Sequence, residues 1–524
     1  MERLRILEVL GAMAFGAGVI VSIYEFSAGP PLWPQDSAVA LDLTGAGPLS
    51  IGRGARAELD HPGSESGGGA ATLASLGQAF DAVDEDGHYG SFPDIHDDPA
   101  PFDAQAKEKF PNHGLVSSGS VTVRRKPDVK SERLGLLRVG TSLRVDAERT
   151  FGGGCSQGWR AIFPRGWVCL NAGVRVGAEP IDKGMIDVAD PDESRSMPLE
   201  YWRVSGPGTP FFHRLPTFAE QDQADAEARR WLDVHGKEPM PSHPQKRPKE
   251  VPGVVKEYLN AGYYVTIAAE HERMKRRFLR TNRGAYARKY QLEQRKGSDF
   301  RGIVLAEGAT DLPVYWVVRE MPLRGRDTPN SGILTKSETT LPRRSRHSFV
   351  RKVRIGDYDY YEDSNGMLLR AYAVGRSYKL KRPAGIGPEE RWIHVDLSEQ
   401  TLVAYVGDRP VFTTIVSTGK EDGMTPVGIH RIQSKFVVTS MRDQPIEEEA
   451  YSIEDVPWTQ YFSNNVALHG AFWHGGFGLV RSHGCVNLSP ADARWLFGFT
   501  TPRLPDRWHA VIGDSGASAV VITK

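Results

Sequence analysis

The chain has 524 residues, with 65 basic and 65 acidic side chains and a formal net charge of zero. That length exceeds one ordinary hydrophobic core and implies about three or four domains. The charge balance lacks the basic excess that holds phosphate backbones, so no nucleic-acid partner is expected.

Arg3 and Arg5 precede an apolar run from Val9 to Tyr24, the pattern of an export signal. Ser27-Ala28-Gly29 offers small residues for cleavage, but Pro30 and Pro31 make a poor processing site. Residues 1–28 therefore read as an uncleaved membrane anchor in preference to a cleaved signal peptide, with the rest of the chain exported to the periplasm or cell envelope. Residues 29–112 are rich in Gly, Ser, Ala, Pro and Asp without apolar periodicity, and residues 63–69 hold only glycine, serine and one glutamate. Such a stretch cannot recover its ordering entropy by burial and reads as a disordered tether.

Three cysteines occur, Cys155, Cys169 and Cys485. In an exported protein the neighbouring Cys155 and Cys169 are expected to form a disulfide, which leaves Cys485 as a lone thiol.

Between residues 115 and 176, short alternating runs such as Val121-Thr122-Val123 and Leu143-Arg144-Val145 are broken by glycines. They predict a small β-barrel. The early V-T-V-R-R-K-P element and the late G-W-V make the segment resemble a bacterial SH3-like domain. That resemblance implies either binding of glycan or another wall polymer, or a structural spacer.

Residues 185–383 are less informative. Runs such as Tyr263 to Ile267 and Val314 to Val318 predict strands, and Phe218 to Val234 predicts a helix. Residues 357–372 predict a hairpin. One or two further SH3-like barrels with insertions fit this texture, although no internal repeat stands out. The basic run Arg273 to Lys289 reads as a solvated helix face rather than a polymer-binding surface.

From residue 391 to 524 the pattern changes. Ile393, Val395 and Leu397 alternate, and Leu402 to Val406, Val411 to Val416 and Ala519 to Thr523 continue as strands. A mostly antiparallel sandwich or barrel follows, so the chain as a whole is mainly β and multidomain.

Inside this region stand Leu468-His469-Gly470-Ala471-Phe472-Trp473-His474 and Ser482-His483-Gly484-Cys485-Val486-Asn487. A thiol titrates near pH ~8.5, so a cysteine nucleophile needs a base or a positive field beside it. His469, His474 and His483 are the nearby candidates. Gly484 permits a sharp turn and leaves approach to the thiol open. Backbone N–H groups at Cys485 and its neighbours can then serve an oxyanion.

The H-G pair followed by S-H-G-C-V-N, with S-T-G at 417–419, T-P-V-G at 425–428 and the trailing L-S-P-A-D-A-R-W-L, resembles the L,D-transpeptidase catalytic domain. The resemblance covers Arg391 to Lys524. It implies a cell-wall enzyme with Cys485 as nucleophile, and either His469 or His483 as proton donor and acceptor. Gly484 would shape the nucleophile loop, Ser482 and Asn487 would organise it, and Gly470 and Trp473 would line the site. The implied substrates are peptidoglycan stem peptides, with no metal or other cofactor, and a carbapenem is expected to acylate Cys485.

Two other readings compete. His469, His474, His483 and Cys485 can ligate zinc in a wall amidase or carboxypeptidase, but no acidic partner lies close in sequence. A non-catalytic wall-binding scaffold is the second, and the presence of Cys485, His469 and His483 speaks against it. Trp495, Leu496 and Phe497 read simply as helix core.

Overall fold

The computed structural model describes residues 92–96, 102–305, 312–442 and 452–524, apart from positions 185, 187, 237, 239, 242, 243, 329 and 330. The anchor expected over residues 1–28 and the tether over 29–91 lie outside the described residues. Among the described residues no helix is long and apolar enough to cross a membrane.

The tether reading needs correction at its C-terminal end. Residues 92–96 are ordered: Ile95 is buried, and its carbonyl accepts a hydrogen bond from Leu504. A short helix, Ala104–Lys109, starts on the Asp103 cap, and Phe110 after it is buried. Single apolar residues in a polar stretch escape a periodicity argument, yet each finds a pocket on the folded part.

Three small β modules follow. In the first, Asn112–Val116 pairs antiparallel with both Ser142–Val145 and Val174–Gly177. Ser120–Arg124 pairs with Arg133–Arg138, and Trp159–Ala161 with Trp167–Cys169. Alternate residues Val121, Val123, Leu143 and Val145 fill the interior, as period-two strands require. A disulfide joins Cys155 to Cys169, with 5.8 Å between their Cα atoms.

In the second module Glu200–Val204 pairs with Tyr264–Arg273 and Leu292–Arg295. The helix Phe218–His235 is inserted between the paired strands Thr209–Phe212 and Val255–Leu259. It opens on a capping box of Thr217 and Glu220, which satisfies two otherwise unpaired backbone donors. The basic run is not helical. It forms Tyr264–Arg273, Arg276–Thr281 and Tyr286–Arg288, and Arg276 is buried against Gln221 and the carbonyl of Pro216. Arginines that alternate with Phe278 and Thr281 obey a strand period, and the charge density concealed it.

The third module contains the hairpins Met321–Arg326 with Leu334–Leu341 and Arg351–Ile355 with Tyr358–Glu362, which pairs on with Leu368–Arg370. Val314–Val317 closes against Val374–Ser377.

A repeat unreadable in the residues is plain in the structure. Each module ends in a glycine turn, a strand, a single turn of 3-10 helix and a final strand. The glycines are Gly166, Gly284 and Gly366, all with positive φ. The last strands begin at Val174, Leu292 and Val374, at the same spacing from each glycine. The 3-10 turns are Leu170–Ala172, Lys289–Gln291 and Ala371–Ala373.

The C-terminal region is a sandwich of two sheets. One runs, in order, Ile303–Val304, Arg409–Ile415, Thr401–Val406, Arg391–Asp396, Ala519–Thr523 and Gly428–Arg431. The other runs Ala510–Ile512, Ser434–Arg442, Ser452–Ser463, Val466–Gly470 and Val486–Leu488. All ten residues of the helix Pro490–Phe499 are buried. Trp495 stacks on Phe412 of the first sheet, and Phe497 packs edge-on against Trp458 of the second. The preceding modules are stitched into this body. Arg133–Arg138 extends the second sheet beyond Ala510–Ile512, and Ile303–Val304 forms the rim of the first.

Candidate active site

The lone thiol lies at the start of a parallel strand pair. Val466–Gly470 and Val486–Leu488 run side by side, with His469 opposite Asn487. Side chains two apart on a strand share a face, so Cys485, Asn487 and His469 point to the same side of the sheet. Sequence separation hides this: the fifteen-residue excursion between His469 and Cys485 returns as a parallel neighbour.

The nucleophile loop is fixed by short hydrogen bonds. Ser482 Oγ donates to the Cys485 carbonyl at 2.6 Å and accepts from the Gly484 amide at 3.0 Å. Gly484 has φ +130°, and a Cβ there would lie 2.7 Å from the Met424 carbonyl. The Gly484 carbonyl accepts from Thr425 Oγ1 at 2.7 Å, and Thr425 in turn accepts from the Gly419 amide. Ser417 exchanges backbone hydrogen bonds with Asn487, and Thr418 accepts from Arg481 and Ser482. Buried Gln400 holds Thr418 through both its side chain and its amide. The S-T-G and T-P-V-G elements are thus the scaffold of the cysteine turn. Gln400 carries no motif signal and was invisible in the sequence.

The histidines differ sharply in setting. His469 is buried. Burial pushes its pKa down to about 4, with a backbone hydrogen bond to Gly470 opposing only in part. Trp473 stacks on its ring with centroids 5.6 Å apart. His483 is exposed. His474 spends both ring nitrogens on protein: Nδ1 accepts from the Gly476 amide at 3.0 Å, and Nε2 meets the Asn487 side-chain amide at 2.9 Å. Burial and then Arg481 push His474 down to about 4. Its neutral ring therefore carries the proton on Nε2, and the amide oxygen of Asn487 is the group that can receive it. That occupancy leaves His474 no lone pair for a metal.

Gly470 lies where backbones meet, for a Cβ there would stand 3.1 Å from Pro457 and 3.3 Å from Pro490. Cys485 is half-buried, and desolvation raises its thiol to about 11, partly offset by a backbone hydrogen bond from Ala467. Tyr461, across the ladder from Ala467, is pushed up to about 12 by burial and then by Cys485. Its place beside the thiol was not legible in sequence. At rest the site therefore holds a neutral thiol and a neutral imidazole.

Two modules reach this region. Tyr201 and Tyr264 of the second touch Phe472, the residue before Trp473. Arg343 of the third donates to the Phe477 carbonyl at 3.1 Å.

Residues 390–520 match the family model of the L,D-transpeptidase catalytic domain, YkuD. No curated protein matches the chain. Among solved structures, a partial likeness extends to the Ldtfm–avibactam carbamoyl enzyme, at 22% identity over 26% of this chain and 49% of that one, TM-score 0.21. An L,D-transpeptidase from Stackebrandtia nassauensis aligns at 23% identity over 26% and 58%, TM-score 0.19. The catalytic domain of the E. faecium L,D-transpeptidase aligns at 21% over 26% and 97%, TM-score 0.21. The chain thus spans about half the length of the first two.

Proposed function

We propose, from the L,D-transpeptidase catalytic domain formed by residues 390–520, that this protein is a cell-wall acyltransferase with Cys485 as nucleophile and His469 as its base. The observation that carries the reading is the parallel pairing that sets His469 on the same sheet face as Cys485. His469 is preferred to His483 because it is buried on the thiol's side of the strand pair while His483 is exposed.

The first half-reaction breaks the amide between the L-centre of a diamino acid and the terminal D-alanine of a peptidoglycan stem. Cys485 sulfur attacks the carbonyl carbon as His469 takes the thiol proton. With the thiol raised and the imidazole depressed, proton transfer ahead of attack is uphill, so the two occur together once substrate is bound. The oxyanion faces the Cys485 amide. The Gly484 amide is already engaged by Ser482, so it is not assigned that task. Collapse expels the D-alanine amine, protonated by His469, and leaves a thioester. In the second half, the side-chain amine of another stem attacks the thioester and His469 accepts its proton. The thiol is regenerated and two diamino acids are joined.

The chain would act in the periplasm or cell envelope, anchored through residues 1–28. In this reading the three small modules are SH3-like domains, and at least one meets wall polymer.

The test is intact-protein mass spectrometry after incubation with a carbapenem. Native protein should gain one stoichiometric adduct and Cys485→Ala none. Folded native protein that stays unmodified would reject the reading.

A further inference from the structure

The loop from Gly475 to Gly478, which joins His474 to the cysteine turn, is ringed by guanidinium groups from two parts of the chain. Arg343 of the third module donates through Nη2 to the Phe477 carbonyl and through Nε to the Val318 carbonyl, both at 3.1 Å. Arg344 Nη1 lies 3.7 Å from where a Gly475 Cβ would stand, and Arg481 Nε only 2.1 Å from the equivalent point at Gly476. Gly478 approaches the third module so closely that a Cβ would meet Val318 at 2.3 Å. The third module is therefore seated directly on the active-site loop.

These charges are poorly compensated. Arg344 has one distant acidic neighbour, Asp299 at 3.7 Å, which is itself almost fully exposed. Arg343 and Arg481 form no ion pair among the described residues. Arg343 is instead disfavoured by burial and then by Arg344, Arg481 and Arg319. The backbone is also strained here, since Arg344 adopts φ +70°. A non-glycine residue in that region is strained and persists only where its surroundings impose it. Three like charges gathered with only one exposed counterion are the makings of an anion site, and planar guanidinium groups fit a carboxylate.

We propose that Arg343, Arg344 and Arg481 form a subsite that binds a carboxylate of the donor peptide, so that the third module completes the substrate-binding site. The identity of the donor rests on the transpeptidase reading, whereas the anion site itself does not. The carboxylate belongs either to the terminal D-amino acid or to an acidic residue upstream in the stem.

The test uses the full chain and two alkylating reagents of similar shape, anionic iodoacetate and neutral iodoacetamide, with modification of Cys485 followed by intact mass. The iodoacetate-to-iodoacetamide rate ratio should fall in Arg481→Gln by up to about fivefold, the size of one charge contact near a protein surface. Gly476→Ala keeps the charge but displaces the Arg481 side chain, and should lower the ratio too. A ratio unchanged in both variants, with Cys485 still alkylated, overturns the subsite. A lowered ratio in a protein that no carbapenem acylates would reject the transpeptidase reading and leave the anion site standing. For the peptide, donors amidated at the terminal carboxylate and donors amidated at the upstream acid are compared with the free acid. The amidation that slows wild type more than Arg481→Gln identifies the bound carboxylate. If neither does, a role in donor recognition is overturned.

Discussion

His469 stands directly across a parallel strand pair from Asn487, and the Asn487 side chain in turn meets His474. One ladder position thus ties the proposed base, through its strand partner, to the loop that the arginines surround. The thiol lies two residues before Asn487 on the same face.

Replacing His469 with Asn should slow acylation of Cys485 by about 10²–10⁴, the usual worth of a positioned acid–base group. The same change at exposed His483 should cost less than about tenfold. Second-order rates of carbapenem acylation by intact mass check this, and the reverse order would transfer the role to His483.

Gly484→Ala should be damaging although it adds one carbon. The position has φ +130° and would bring a Cβ to 2.7 Å from the Met424 carbonyl. The backbone cost is about 1–3 kcal/mol, and the turn that presents the thiol must shift to relieve it. Acylation at least about tenfold slower, with a lower Tm, is expected. Unaltered kinetics would mean that the turn is not needed in this form.

Thr425→Val keeps the shape and removes a hydroxyl that bridges the Gly419 amide and the Gly484 carbonyl. Leaving the buried Gly484 carbonyl unpaired costs roughly 1–3 kcal/mol, and the half-buried Gly419 amide loses its partner as well. Thermal unfolding should show the loss, and acylation should slow, because the S-T-G segment and the cysteine turn are no longer tied together.

Acid should destabilise the fold in a defined window. Burial depresses His394, His469, His474 and His509 from 6.5 to about 4. The unfolded chain binds these protons below about pH 6.5 and the native state only near 4, so unfolding takes up protons between those values. Stability is therefore full above 6.5 and falls as the pH drops toward 4. A Tm that stays flat across that window would contradict neutral burial of these rings.

Alkylation of Cys485 should keep accelerating with pH beyond 9, because burial holds the thiol near 11. A plateau reached near neutrality would instead indicate a preformed thiolate at rest.

The cysteine turn was readable because its residues are contiguous and chemically demanding: a lone thiol, an adjacent glycine and histidines nearby. Alternation at Ile393, Val395 and Leu397 and the apolar runs Leu402 to Val406 and Val411 to Val416 likewise overlap the strands Arg391–Asp396, Thr401–Val406 and Arg409–Ile415. The helix after the motif was legible for the same reason, with Trp495, Leu496 and Phe497 fully buried. What failed were features that depend on distant partners. Arg276 looked like surface charge because Gln221, its buried partner, lies on another element. The threefold repeat was hidden because its invariant parts are backbone conformations, filled by W-V-C in one copy and L-L-R in another. Tyr461 belongs to the site through sheet pairing and Gln400 through its side-chain amide on Thr418, and one-dimensional spacing conveys neither.

The two-residue strand Ile303–Val304 has a consequence for anyone who would isolate the catalytic part. It belongs in sequence to the connection between the second and third modules, yet it closes the rim of the sheet at Arg409–Ile415, while the Gly302 amide caps the buried carboxylate of Asp492. A fragment cut at residue 390 would bare a row of unsatisfied amides and carbonyls and strip the buried Asp492 carboxyl group of a donor. Such a fragment would seek strands from its own copies, and self-association in solution would be the signature. The natural unit for expression begins before residue 300, and nicking ahead of residue 390 should leave the pieces clasped together.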